Sequence, residues 1–145
     1  MALRSAEPYR QILVPVSARR SADEATAIAC RLAADRGATL TILTVIEVPA
    51  ELPLEAQLPA EEDAARQMLA EARAVAELYG VDASARVVRA RSAADAILTC
   101  AGANGTQLVV LGAPRRRTTT RAPIFGRTVA AVLAHAPCRV LVAAR

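Results

Sequence analysis

Lysine does not occur in this chain: all 18 basic side chains are arginine. Walker-type phosphate chemistry, Schiff bases and lysine general bases are therefore excluded. Aromatics are nearly missing too, with one Phe, two Tyr and no Trp, so there are too few rings to stack the bases of single-stranded nucleic acid. One histidine and three cysteines (Cys30, Cys100, Cys138) without a CxxC pair make neither a zinc site nor a disulfide framework, and fit a reduced, cytoplasmic setting. No apolar run reaches the ~18 residues that cross a bilayer, and the N-terminus lacks the apolar core of a signal peptide. The expectation is a soluble chain.

What is present is an aliphatic, single-domain composition. A length of 145 residues suffices for one buried core, and with 54% hydrophobic residues that core must be built from Val, Leu, Ile and Ala. Arginine offers a planar fork suited to phosphate or carboxylate, although drift of composition toward Arg and Ala explains the missing lysine equally well. The charge is unevenly spread. Residues 1–95 hold eleven arginines against fourteen acids, net −3; residues 96–145 hold seven arginines and no acid, net +7. Such blocks usually form solvated faces, but a segment without acids beside a glycine loop favours an anionic partner.

Periodicity gives the order of elements. "RQILVPVS" (10–17) reads as a buried strand, and Ser21 caps an amphipathic helix that stops at Gly37. A second strand covers 38–48, followed by a proline-rich loop and a helix over 61–79 that ends at Gly80. A third strand covers 82–90, Ser92 caps a helix through Ala101, and "TQLVVLG" (106–112) is a strand buried on both faces. The segment 125–136 is a fourth helix and 138–144 a fifth strand. This alternation predicts an α/β fold: a five-stranded parallel sheet with helices on both faces, Rossmann-like, over residues 10–145, with 1–9 as a tail or linker. Ligands of such sheets bind outside the carboxyl ends of the strands where strand order reverses, an edge that collects Ser17, Val45 to Glu47 and Gly112.

The stretches "ILVPVS", "LVVLG" and "AHAPCRVLVAA", with a glycine at the last helix, resemble the universal stress protein family over roughly residues 9–144. The resemblance implies an adenine-nucleotide-hydrolase-like fold. It also implies a site for ATP, AMP or a cyclic nucleotide, built from an Asp after the first strand and a loop G-x2-G-x9-G-[ST]. Glycines there let backbone N–H groups approach phosphates, and the helix N-terminus adds positive charge. In "GAPRRRTTTRAPIFGRT" (112–128) Gly112 matches the first glycine, Arg115 stands at the second, Gly126 matches the third one residue late, and Arg127 precedes Thr128 at the hydroxyl position. Ser17 takes the place of the Asp. Pro15, Val16, Val45, Leu111 and Gly112 are then expected to line an adenine-sized slot. The arginines from Arg115 to Arg117, with Arg121 and Arg127, either bind phosphate as side-chain forks or form a solvated loop over a vacant pocket.

The wording from Leu111 to Ala144 is also similar to universal-stress-type cytoplasmic domains fused to amino-acid permeases. That likeness implies a regulatory, non-enzymatic domain, with a transporter's membrane domain as a partner and a basic loop drawn to anionic lipids. An ATP-binding member with weak hydrolysis or autophosphorylation is the alternative, with Thr118, Thr119, Thr120 and Thr128 as acceptors. The family also implies a homodimer through the C-terminal strand. Other chemistry is poorly supported. His135 and Cys138 lack a third orienting group, and Glu61, Glu62 and Asp63 stand where acids stabilise a helix dipole. Glu47 is either solvated or a substitute ribose acceptor. No helix presents a basic face for specific nucleic-acid binding.

Overall fold

The computed structural model describes residues 9–17, 22–113 and 126–143. They form β1 (Gln11–Pro15), α1 (Ala22–Arg36), β2 (Thr39–Glu47), α2 (Pro59–Leu78), β3 (Ala83–Ala90), α3 (Ala93–Ala103), β4 (Leu108–Gly112), α4 (Gly126–His135) and β5 (Arg139–Ala143). The sheet is five-stranded and parallel throughout, in the order β3-β2-β1-β4-β5. The chain winds outward from β1 to β3, returns past β1 to β4, and ends at β5.

The period-two alternation of the strands divides the core into two layers. Ile12, Val14, Leu40, Ile42 and Val110 point to one face and pack with Ala25, Ala29, Leu69 and Ala76 of α1 and α2. Leu13, Leu43, Val109 and Leu111 point to the other and pack with Ile97, Cys100, Val129 and Val132 of α3 and α4. Alanine at so many helix contacts lets the helices lie close to the sheet, which is how a chain almost without aromatics closes its core. β4 is buried at all five positions, as its unbroken apolar run requires.

The helix ends show which local signals decided the boundaries. Ser92 caps α3 as expected, its Oγ accepting from the Asp95 N–H at 3.1 Å. α3 runs to Ala103, two residues beyond the expected end, because the left-handed stop is Gly105 (φ 62°). α2 begins at Pro59 rather than Glu61. Proline is suited to the first turn, where its missing N–H costs nothing, and Glu62 reaches back to accept from the Leu58 N–H at 3.0 Å. The acids at 61–63 thus serve the helix start, as expected. α4 begins at Gly126 (φ 81°). Ser21, expected to cap α1, lies outside the described residues.

Two arginines at the end of β3 organise the long connection between β2 and α2. Arg91 Nη1 donates to the carbonyls of Val48, Pro49 and Leu52, at 3.3, 2.6 and 2.7 Å. Arg89 donates to Ala56 O at 2.6 Å and pairs with Glu62 at 3.0 Å. The guanidinium fork replaces the backbone partners that a three-proline segment cannot supply. At the opposite end of the sheet, the guanidinium groups of Arg36 and Arg139 lie 5.3 and 5.6 Å from the centre of the Tyr9 ring, whose hydroxyl accepts from Arg139 at 3.0 Å. This ties the start of β1 to α1 and β5.

Arg91→Ala is expected to lower stability by about 1–2 kcal/mol, the scale of lost charge-assisted bonds at a partly exposed site, and to make residues 49–58 the first point of limited proteolysis. Unchanged cleavage kinetics would show that the prolines alone hold the connection.

Candidate functional site

The single reversal of strand order falls between β1 and β4. β1 pairs with β2 up to Pro15↔Leu43, and β4 pairs with β5 up to Gly112↔Ala143, but β1 and β4 pair only through Leu13↔Val109. Beyond that level the two central strands part. Pro15 supplies the reason. The N–H of Val16 donates to Leu43 O on the β2 side at 2.8 Å, and Gln11 O accepts from the Gln107 N–H on the β4 side at 2.9 Å. Odd residues of β1 therefore face β4, and at position 15 proline has no N–H to continue that ladder. The ladder thus stops at the edge outside which ligands of open α/β sheets bind.

Pro15, Val45 and Leu111 stand at this carboxyl edge of the sheet, in unequal settings. Pro15 is buried, and Val45 and Leu111 belong to the face covered by α3 and α4, with Leu111 fully buried and Val45 packed at its margin. Val16 turns the other way: its side chain is core on the α1 and α2 face and its N–H is spent on Leu43, which leaves it only a backbone carbonyl for a ligand. Ser17 is half-buried just past β1. Gly112 is buried, and Ala113 after it is held by a bond from its N–H to Ala143 O at 2.9 Å.

Gly126 opens α4 with a positive φ, Arg127 is exposed and Thr128 half-buried, and Val129 anchors the turn in the core layer of β4 and α3. The first turn of α4 contains no acid, so the partial positive charge of the helix start and the Arg127 guanidinium both favour an anion there. Arg115, with Arg116, Arg117, Arg121 and Thr118 to Thr120, lies outside the described residues.

Glu47 is exposed, as expected of a solvated acid, but it is not idle. Its Oε2 accepts from the Ala93 N–H at 2.9 Å and so supplies the start of α3 with a second acceptor beside Ser92. Sequence reasoning missed Thr44, only 2% exposed near the carboxyl end of β2, whose Oγ1 has no hydrogen-bond partner among the described residues. Its signal was a hydroxyl at an inward position of the apolar run "TILTVI". His135 is exposed, whereas Cys138 is half-buried. Burial pushes the Cys138 thiol up, partly offset by a backbone hydrogen bond at Val109, which is opposite to the activation a nucleophile needs. Among the described residues no group of His, Cys, Asp and Glu is placed to hold a metal, and no helix is long and apolar enough to cross a membrane.

Glu47→Ala should cost about 1 kcal/mol, as for a lost helix cap, and Glu47→Gln, which keeps an acceptor, well under half of that. Equal losses in thermal denaturation would mean that charge, not the bond to Ala93, is what matters.

Solved structures share this architecture. A universal stress protein from Archaeoglobus fulgidus superposes with a TM-score of 0.76 at 20% identity, covering 92% of this chain and 98% of its own. The universal stress protein UspA of Lactobacillus plantarum gives 0.74 at 26% identity, covering 94% and 98%. A universal stress protein solved in complex with cAMP gives 0.71 at 21% identity, covering 95% and 98%. No curated protein sequence matches the chain. The sequence model of the universal stress protein family matches residues 8–144: with its fold, its sheet order and nearly its whole length accounted for, the chain belongs to the universal stress protein family.

Proposed function

We propose that this chain is a non-enzymatic regulatory domain that binds an adenine nucleotide in the crevice between β1 and β4, with arginine side chains taking over phosphate binding from the glycine backbone. The observation that carries the reading is the early end of the β1–β4 ladder at Leu13↔Val109, beside an acid-free first turn of α4. A slot lined by Pro15, Val45 and Leu111 accepts a flat apolar base, and Ser17 offers a hydroxyl to the ribose in place of a carboxylate. A neutral group there removes the repulsion between an acid and a phosphate. The nearby arginines then set a preference for compact, highly charged ligands. That a family member was solved in complex with cAMP supports an adenine nucleotide as the ligand. The likeness of residues 111–144 to permease-fused domains supports a cytoplasmic regulatory setting beside a transporter. β5, an edge of the sheet, offers a strand for pairing with a second copy.

A second reading, ATP binding with slow hydrolysis or autophosphorylation, is favoured by one observation: Thr128 stands half-buried two residues after Gly126 and keeps a hydroxyl near the phosphate end. Retention of labelled phosphate on the chain after incubation with ATP, lost in Thr128→Ala, would select it.

The test of the first reading is calorimetric titration with ATP, AMP and cAMP, together with mass analysis of any nucleotide retained through purification. Arg115→Gly with Arg127→Ser should weaken the best nucleotide by at least about tenfold, the scale of one lost charge-assisted contact. Pro15→Ala, which restores an N–H facing β4, should weaken it as well by drawing the crevice closed. Tighter ATP binding by the double variant would favour the backbone cradle of the second reading. No binding of any nucleotide would refute both.

A further inference from the structure

α2 overhangs the β3 edge of the sheet, and its outer flank is unusual in composition. Arg66, Leu69, Ala70, Arg73, Ala74 and Glu77 follow one another at spacings of three and one, a single face three turns long. With Ala85 of β3 they line an open trough of about 620 Å³. Ala70 and Ala74 leave its middle shallow, Arg66 stands at one end and Glu77 at the other. Arg66 is paired with Asp63, but this pair is widely exposed, and Arg73 and Glu77 make no ion pair among the described residues. Leu78, one residue past Glu77, is 87% exposed, a large apolar side chain left in water at the rim.

We propose that this flank is a self-association surface, in which α2 packs antiparallel against α2 of a second copy about a two-fold axis at Glu71 and Ala72. In that arrangement Arg66 lies level with the partner's Glu77, and the exposed Ala70 with the partner's Arg73. Each of these positions thus meets its chemical complement: cation to anion, and small to the methylene stem of an arginine. An isologous contact needs this self-complementarity. The guanidinium of Arg66 has enough donors to keep Asp63 and donate to the partner's Glu77 as well. The alanines allow the two helices to approach closely, and Leu78 comes level with the partner's first turns. No such matching holds for a parallel pair, which sets Arg66 against the partner's Arg66. Three turns of helix span ~16 Å at 1.5 Å per residue. The contact is therefore below the size of a standard permanent interface, and it is reversible and salt-sensitive. It lies on the edge opposite β5, so the two surfaces do not compete.

Sedimentation equilibrium over a concentration series tests this with Arg66→Glu, Glu77→Arg and the double variant R66E/E77R, whose exposed positions leave the fold intact. Wild type should reach a higher average mass than either single variant. An equimolar mixture of the two single variants should regain the wild-type mass, because each mixed pair then restores both Arg–Glu contacts, and the double variant should do the same alone. The dissociation constant of this step should be at least about tenfold weaker in each single variant than in their mixture, given the cost of opposing like charges. The proposal is overturned if all four proteins have the same mass at every concentration, as pairing through β5 alone or a monomer would give. It is overturned equally if the mixture fails to recover the association.

Discussion

The structure depends on the missing hydrogen bond at Pro15. A parallel sheet gains its cohesion from an unbroken ladder, and here the two central strands share the shortest one in the sheet, ending at Leu13↔Val109 while both of their outer pairings continue. The interruption costs little because Pro15 is still buried and Val16 still bonds to β2. What it leaves is a β1–β4 ladder that stops short of the carboxyl edge of the sheet, above a core layer to which Val129 and Val132 of α4 belong.

The core adapts to that constraint with small side chains. Helices that face the sheet with Ala25, Ala29, Ala65, Ala72, Ala76 and Ala101, all buried, can approach it closely, so that aliphatic residues suffice to fill the core. The same economy of volume appears on the outside of α2, where Ala70 and Ala74 face solvent. Arginine takes on three separate duties in the described residues: holding the backbone of the β2–α2 connection (Arg89, Arg91), contacting an aromatic ring at the base of the sheet (Arg36, Arg139), and standing exposed in the first turn of α4 (Arg127). Only the last is suited to a mobile ligand. The fork geometry explains why one residue type serves all three.

Much of the fold was legible in the sequence because the signals are local. Apolar runs of period two, glycines after helices and the cap at Ser92 each act within a few residues, and all nine elements follow from them. Where boundaries moved, a neighbouring local signal won: Pro59 started α2 before the acids, and Gly105 rather than Ala101 ended α3. The positions of Pro15, Val45, Leu111 and Gly112 at the carboxyl edge were also legible, since the ends of parallel strands are known once the strands are. The roles of Glu47 and Val16 were not. An exposed acid after a strand reads the same whether it faces water, a ribose or the start of a helix 46 residues later, and nothing within "VPVS" tells which face Val16 takes until the sheet has a register.

The sequence by itself therefore determined the order of elements, the parallel sheet and the segments that reach its ligand edge, because hydrophobic period and capping act over short range. Tertiary structure alone decided that β1 and β4 part above Leu13, that Glu47 belongs to α3, that Arg89 and Arg91 hold a loop more than thirty residues away, and that the flank of α2 stands clear of the sheet. These are facts of register and of approach between distant segments, and a hydrogen bond or a trough exists only once both of its sides have been brought together.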